Sequence, residues 1–135
     1  MQYAQICDRV EAHVGDIDPG ALVGTWINSN LDTNSIARVK ISDANGKLVL
    51  QVFAMGPDGL IDWGTSEAQV FAGGPSSHAA AGFTCRYDFG FAEARLQAMI
   101  MKGLLVLAQF HLFKDDSGRS DYFLREYFAL SHDRF

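Results

Sequence analysis

The chain has 135 residues, a length that fits one domain with one hydrophobic core. Its net charge of −5, with 11 Lys and Arg residues, leaves no basic surface for nucleic acid. With 48% hydrophobic and 20% charged residues, it is too apolar for a disordered protein. Its apolar runs are also far too short for a membrane-spanning helix. We therefore expect a single domain, 1–135, whose partners are neither nucleic acid nor membrane.

The first residues do not show a basic stretch followed by an apolar one, which is the pattern of an export signal. This predicts a cytoplasmic protein, in which Cys7 and Cys85 stay as thiols. The histidines and cysteines also lack the spacing of metal ligands, and no glycine-rich loop precedes a helix. We expect no disulfide, metal or cofactor.

The apolar residues between positions 2 and 14 recur at helical spacing, with charged residues between them. This pattern predicts a short amphipathic helix over residues 2–14. Pro19 and the glycines around it then end the helical pattern.

From residue 22 to residue 130 the pattern changes to about eight strand-like segments separated by turn residues. The predicted strands cover residues 22–28, 36–42, 47–55, 60–71, 81–89, 91–101, 104–113 and 120–130. Asn45-Gly46 predicts a tight hairpin, because it supplies the positive φ that such turns need. A run of such strands can hide its edges in a two-sheet sandwich or a closed barrel, and the uninterrupted short connections favour the barrel. We therefore predict an all-β fold, an eight-stranded up-and-down antiparallel β-barrel with the helix capping one end.

Two predicted strands leave open which of their faces points inward, because neighbouring residues on a strand point in opposite directions. In 104–113 one face carries Gln109 and His111, and in 47–55 one face carries Gln51 and Phe53. If these faces point inward, the barrel holds a few polar groups in an aromatic wall, as ligand sites do. If they point outward, the outer surface is apolar enough to indicate a homodimer interface.

Gly24-Thr25-Trp26, at the start of the first predicted strand, resembles the Gly-x-Trp signature of the calycins, which include lipocalins, fatty-acid-binding proteins and avidins. The resemblance implies a calycin-like barrel in which Trp26 closes one end and an arginine of the last strand, here Arg125, stacks over it. Both residues would then be structural. An inward Trp26 places Asn28 inside, and an inward Arg125 places Phe123 inside with Asp121 and Tyr127.

Gly24 to Asn28 also matches the avidin form Gly-Thr-Trp-x-Asn, and Ala92-Glu93-Ala94-Arg95 is similar to a streptavidin strand. Biotin binding is not implied, because the later tryptophans that wall the biotin site are missing and only Trp63 remains. A closer likeness is to small bacterial proteins of unassigned function that share Asp62-Trp63-Gly64 and a closing segment like 116–123. That likeness covers residues 22–129 and implies a fold but no activity.

The barrel interior is the predicted site for a small, largely hydrophobic or aromatic molecule, which enters near Pro57 and Gly118. The predicted ligand-binding residues are Asn28, Gln51, Phe53, Trp63, Tyr87, Gln109, His111 and Phe123. An alternative is a cofactor-free cyclase or isomerase of a secondary metabolite, with His111 and a carboxylate such as Glu67 as acid and base. A third reading is an interaction module with a solidly packed barrel.

Overall fold

A computed structural model of the protein describes residues 17–132. It contains eight strands: β1 (Gly24–Asn28), β2 (Ile36–Ala44), β3 (Lys47–Gly56), β4 (Gly59–Ala72), β5 (Ala80–Asp88), β6 (Ala92–Met101), β7 (Leu104–Phe113) and β8 (Tyr122–Ser131). Each strand pairs antiparallel with the next, and β8 pairs with β1, so the barrel is closed. This confirms the predicted eight-stranded up-and-down barrel. The helix predicted over residues 2–14 lies outside the described residues.

Two of the tight turns between strands are formed by residues with positive φ values. Asn45 and Gly46 join β2 to β3 with φ values of 55° and 86°, as the predicted hairpin requires. Lys102 and Gly103 join β6 to β7 in the same way, with φ values of 52° and 79°. Short connections of this kind let consecutive strands pair side by side around the barrel.

The inner face carries one continuous hydrophobic core, which begins at Trp26 on β1. The Trp26 side chain is buried, and its Nε1–H donates a hydrogen bond to the carbonyl oxygen of Leu22 at 2.9 Å. Opposite Trp26 lie Val39 on β2 and Leu130 on β8. The largest fully buried side chains are Phe83, Phe128, Leu22, Ile36, Leu48, Leu50, Leu96 and Leu105. A barrel of eight strands is just wide enough for such side chains to fill it.

A β-bulge in β4 turns Trp63 toward the interior. The pairing of β3 with β4 shifts between Gln51 and Phe53, and Gly64 has a φ of 85°. The Asp62 carboxylate holds this shape by accepting a hydrogen bond from the backbone N–H of Gly64 at 2.7 Å. Bulges often redirect a side chain next to a binding site. Here the bulge lets Trp63 pack against the core while Asp62 stays outside.

The segment Ala92–Arg95 of β6 alternates between the two faces of the barrel. Ala92 and Ala94 are fully buried on the inner face. Glu93 lies on the outer face, where its carboxylate accepts hydrogen bonds from Arg95 and, at 2.8 Å, from Arg86. The hydrogen bonds from Arg95 and then Arg86 lower the pKa of Glu93. The acidic and basic residues of this segment therefore form an ion-pair network on the outer surface.

Candidate functional site

The candidate site lies at the end of the barrel where β1 ends, which we call the mouth. The loops of residues 29–35, 57–58, 89–91 and 114–121 surround it. The loops near Pro57 and Gly118, through which ligand entry is predicted, are both at this end. Inner-face side chains approach the mouth from β7 and β8, where His111 pairs with Tyr122.

The face of β7 that carries Gln109 and His111 points inward. Gln109 is 3% exposed and His111 is 9% exposed. Their partners on β8 in the strand register are Leu124 and Tyr122, which therefore also belong to the inner face. The sequence left open which face of β7 points inward, and the structure shows that it is the face with the polar side chains.

An arc of aromatic rings lines the mouth from β4 to β8. The Trp63 ring contacts Tyr87 and Phe89 edge to face, with centroid distances of 5.5 and 5.0 Å. Phe89 stacks on His111 at 6.3 Å, and His111 stacks on Tyr122 at 4.8 Å with only 5° between the ring planes. These stacked and edge-to-face contacts are arrangements that aromatic rings prefer.

The small side chains of β6 make this arc possible. Phe89 follows β5 and His111 lies on β7, so β6 runs between them. At this level β6 presents Ala92 and Ala94 to the interior. Larger side chains there would fill the space across which Phe89 and His111 now stack.

Three polar side chains form a hydrogen-bonded chain below the aromatic arc. The Ser35 hydroxyl, from the β1–β2 loop, donates to Oε1 of Gln109 at 2.9 Å. Nε2 of Gln109 lies 3.2 Å from Nδ1 of His111. Ser35 is itself fixed, because its N–H bonds to Thr33 Oγ1 at 3.1 Å and its carbonyl accepts from the Met55 N–H at 2.8 Å. We call these three side chains the Ser35–Gln109–His111 relay.

A groove of about 390 Å³ opens beside the relay, between the β1–β2 loop and β8. Its β8 wall consists of Tyr122, Leu124 and Glu126, and Ser35 and Thr33 are part of the opposite wall. The Thr33 hydroxyl donates to Oε2 of Glu126 at 3.0 Å, which ties the loop to the strand. A volume of this size accommodates a small organic molecule.

Asn28 is buried on the inner face, as predicted, but its side chain bonds to the backbone. Its Nδ2 donates to the carbonyl of Ile36 at 2.9 Å, and its Oδ1 accepts from the N–H of Asn30 at 2.8 Å. These bonds tie the two ends of the β1–β2 loop to Asn28. A role for Asn28 in contacting a ligand stays a prediction.

The residues predicted on β3 lie on the outer face. Leu48, Leu50, Val52 and Ala54 are the buried residues of this strand, so Gln51 and Phe53 point outward. Gln51 Nε2 donates to Asp62 Oδ2 at 2.9 Å, and the Arg38 guanidinium lies 5.9 Å from the Phe53 ring centroid. The strand buries its aliphatic face because burial of that face leaves no polar side chain without a hydrogen-bond partner.

The predicted inward face of β8 is wrong. Phe128 is fully buried opposite Leu105, whereas Phe123 is 53% exposed and packs on the outward Phe110 at 4.9 Å. Arg125 is exposed and pairs with the outward Ala108, while Trp26 pairs with Leu130 on the inner face. The predicted stacking of Arg125 over Trp26 is therefore absent. Asp121 precedes the strand, and Tyr127 lies outside with Phe123.

Glu67 is also on the outer face. It pairs with Val49, its side chain is 61% exposed, and its carboxylate lies 3.9 Å from Lys47 Nζ. It therefore cannot act as the carboxylate partner of the inward His111.

Ser35, Phe89 and Tyr122 were not predicted as site residues from the sequence. Ser35 lies in a polar loop, where a hydroxyl gives no signal of its own. Tyr122 would have followed from His111 if the register of β7 and β8 had been known. Phe89 was assigned to the end of a strand, and only its contact across Ala92 and Ala94 links it to the site.

Burial lowers the pKa of His111 from its usual 6.5, and the nearby Arg119 guanidinium lowers it further, while Asp121 opposes the shift. The folded protein therefore binds this proton more weakly than the unfolded chain does. The stabilising contribution of neutral His111 is complete above about pH 6.5 and is lost as the pH falls toward the lowered pKa.

We therefore expect the melting temperature to fall more between pH 8 and pH 5 in the native protein than in His111→Phe. The variant lacks the titrating group but keeps an aromatic ring in the arc. Thermal unfolding followed by circular dichroism at both pH values measures this difference. Equal falls in both proteins would show that burial does not oppose the protonation of His111.

Comparison with protein-family models, curated proteins and solved structures finds no match to this chain. Among residues 17–132, no three His, Cys, Asp or Glu side chains are grouped so as to hold a metal ion. No helix within the same residues is long and apolar enough to cross a bilayer. We therefore infer a function from the geometry of the mouth.

Proposed function

We propose that the protein binds a small, largely apolar molecule with a planar aromatic part at the mouth of the barrel. The observation that carries the proposal is the arc of rings that runs from Trp63 through Phe89 and His111 to Tyr122. Aromatic walls with a few placed polar groups are typical of small-molecule sites. The Ser35–Gln109–His111 relay supplies such polar groups at the base of the arc.

The mouth is a better site than the centre of the barrel because the centre is occupied by protein side chains. Phe128, Leu105, Leu50 and Val52 are all fully buried there. At the mouth, by contrast, Tyr122 is 41% exposed although it belongs to the inner face. Exposed rings on an inner face are available to a ligand without any change in the core.

We also propose that the protein is a calycin-like binding barrel. Support comes from Gly24-Thr25-Trp26 at the start of β1 and from the closed order of eight antiparallel strands. The outward Arg125 departs from the calycin pattern. The Gly-x-Trp segment and the strand order are therefore the two features that support this kinship.

A cyclase or isomerase that uses the same cavity is less well supported. The partner predicted for His111 was Glu67, which lies on the outer face beside Lys47. Glu126 is an inner-face carboxylate, but Thr33 bonds to it. Acid–base catalysis needs a group within hydrogen-bond reach of the proton that moves, and binding does not.

The proposed partner is thus an aromatic or apolar small molecule, and the net charge of −5 does not favour nucleic acid. A homodimer stays a prediction. Exposed apolar side chains on the outer faces of β6–β8 give it some support, namely Met99, Met101, Phe110, Phe123 and Tyr127. Native mass spectrometry of freshly purified protein would report the subunit number and any ligand that remains bound.

A fluorescence titration with N-phenyl-1-naphthylamine, an uncharged aromatic probe, tests binding at the mouth. We expect Trp63→Ala to weaken probe binding roughly 2- to 10-fold, the value of one aromatic contact. Phe123→Ala is the matched control, because it removes a ring from the outer face. Equal weakening in both variants, or no effect of Trp63→Ala, would place the probe elsewhere.

A further inference from the structure

The orientation of the Gln109 side chain determines which atoms face His111. Oε1 of Gln109 accepts the hydrogen bond of the Ser35 hydroxyl at 2.9 Å. The amide nitrogen of Gln109 therefore points the other way, to within 3.2 Å of His111 Nδ1. Gln109 is 3% exposed, so its amide is largely shielded from water.

An amide nitrogen donates hydrogen bonds and does not accept them. In this orientation of the Gln109 amide, Nδ1 of His111 offers its lone pair to Gln109. In a neutral imidazole one nitrogen carries the proton and the other does not. The relay thus favours the form of His111 in which the proton is on Nε2.

The other ring nitrogen of His111 is available to a ligand. Nε2 makes no hydrogen bond with any residue between 17 and 132 and is not sealed from solvent. The ring plane is fixed by Tyr122, whose ring lies parallel to it at 4.8 Å, and by Phe89 at 6.3 Å. A hydrogen-bond donor of fixed direction therefore lies within the aromatic arc.

We propose that the Ser35–Gln109–His111 relay holds His111 as the Nε2–H tautomer, and that the site accordingly selects aromatic molecules that carry a hydrogen-bond acceptor such as a ketone oxygen. This inference rests on the proposed function, since it specifies the ligand class of the same site. Nε2–H donates to the acceptor atom while the aromatic part of the ligand lies against the arc.

The groups around His111 favour its neutral form. Burial lowers the pKa of its imidazole, and the charge of Arg119 acts in the same direction against that of Asp121. Burial also raises the pKa of Tyr122, which keeps its phenol uncharged. A neutral donor suits an uncharged acceptor, because no ionic charge has to be buried when the ligand binds.

The Nε2–H tautomer suits hydrogen bonding to a ligand and does not suit general-base catalysis by the same nitrogen. A general base that faces the ligand needs a free lone pair on the atom that faces it. With the proton on Nε2, the lone pair points to Gln109 instead, away from the ligand. His111 is thus a specificity-determining residue in this account.

Nitrogen NMR of protein labelled in its histidines tests the tautomer directly. The chain has 4 histidines, and the spectrum of His111→Phe assigns the signals of His111. At pH 8 we expect the proton of His111 on Nε2 in the native protein. In Gln109→Glu the new carboxylate should draw the proton to Nδ1. A native protein with the proton on Nδ1 would overturn the proposal whether or not any ligand binds.

A pair of probes tests the ligand class. 2-Acetylnaphthalene carries a ketone oxygen, and 2-ethylnaphthalene has nearly the same shape without it. We expect the ratio of their affinities to favour the ketone roughly 3- to 10-fold more in the native protein than in His111→Phe, the net value of one hydrogen bond. Gln97→Leu, on the outer face of β6 where it pairs with Ala108, is the control and should keep the native ratio.

The outcomes separate the two proposals. Equal ratios in the native protein and His111→Phe, with both probes bound, would overturn the ligand class and leave the proposed function standing. Binding of neither probe would contradict the proposed function, and the tautomer would still be measured by NMR. If Gln109→Glu does not fold, the native spectrum and His111→Phe are sufficient for both tests.

Discussion

Replacement of Phe128 by alanine is expected to lower the free energy of unfolding by about 3–5 kcal/mol, the usual cost of removing a fully buried ring. Phe128 is 0% exposed and lies between Asn28 on β1 and Leu105 on β7. The closed barrel leaves little freedom for neighbouring strands to collapse into the space. Urea unfolding followed by circular dichroism gives the change directly.

Phe123→Ala is the matched control on the same strand. Phe123 is 53% exposed on the outer face, so its removal should cost less than about 1 kcal/mol. The comparison tests which face of β8 points inward. A larger loss in Phe123→Ala than in Phe128→Ala would reverse the assigned orientation of the strand.

Gly82→Ala is the second change with a large expected effect. A Cβ atom at Gly82 would lie 2.4 Å from the carbonyl oxygen of Ala98, which is backbone of the neighbouring strand. Gly82 also pairs with Phe71 on β4, so β5 is held on both sides and cannot shift away. We expect a loss of about 1–3 kcal/mol or more from this overpacking.

Gly74→Ala provides the control for the removal of a glycine. No atom lies within 4 Å of a Cβ placed at Gly74, in the loop between β4 and β5. Its stability should therefore change by less than about 1 kcal/mol, with a gain if the unfolded chain loses entropy. Urea unfolding of both variants decides the point. Similar stability of Gly82→Ala and the native protein would show that β5 and β6 separate more easily than their register implies.

The all-β class and the closed barrel were accessible from the sequence because the strand pattern and the turn residues agree. Asn45-Gly46 is a clear case, since few residues adopt the positive φ values that the turn requires. Trp63, Tyr87, Gln109 and His111 were all named as site candidates, and the structure brings them to the inner face. Their roles in binding stay predictions.

The face of β8 could not be read from composition, because both faces carry aromatic residues. Tyr122 and Phe128 lie inside, while Phe123 and Tyr127 lie outside. The expectation that Arg125 stacks on Trp26 led to the wrong face. Because alternate residues of a strand share a face, the whole strand was then assigned in the wrong orientation.

The inward direction of Trp63 depends on a local irregularity. The bulge at Gly64 adds a residue to β4, so simple alternation along the strand fails at this point. The contact between Phe89 and His111 depends in turn on two alanines of a third strand. Such features arise from the packing of several strands and leave no periodic signal in the sequence.

The mouth as a binding site is tested most directly by the indole N–H signals of the two tryptophans in a nitrogen-correlated NMR spectrum. Trp63 belongs to the aromatic arc, whereas Trp26 is 2% exposed in the core and donates its N–H to Leu22. Trp63→Phe assigns the two signals. Titration with N-phenyl-1-naphthylamine should shift the Trp63 signal in a saturable way and leave the Trp26 signal in place. A shift confined to Trp26, or no saturable shift of Trp63, would contradict binding at the mouth.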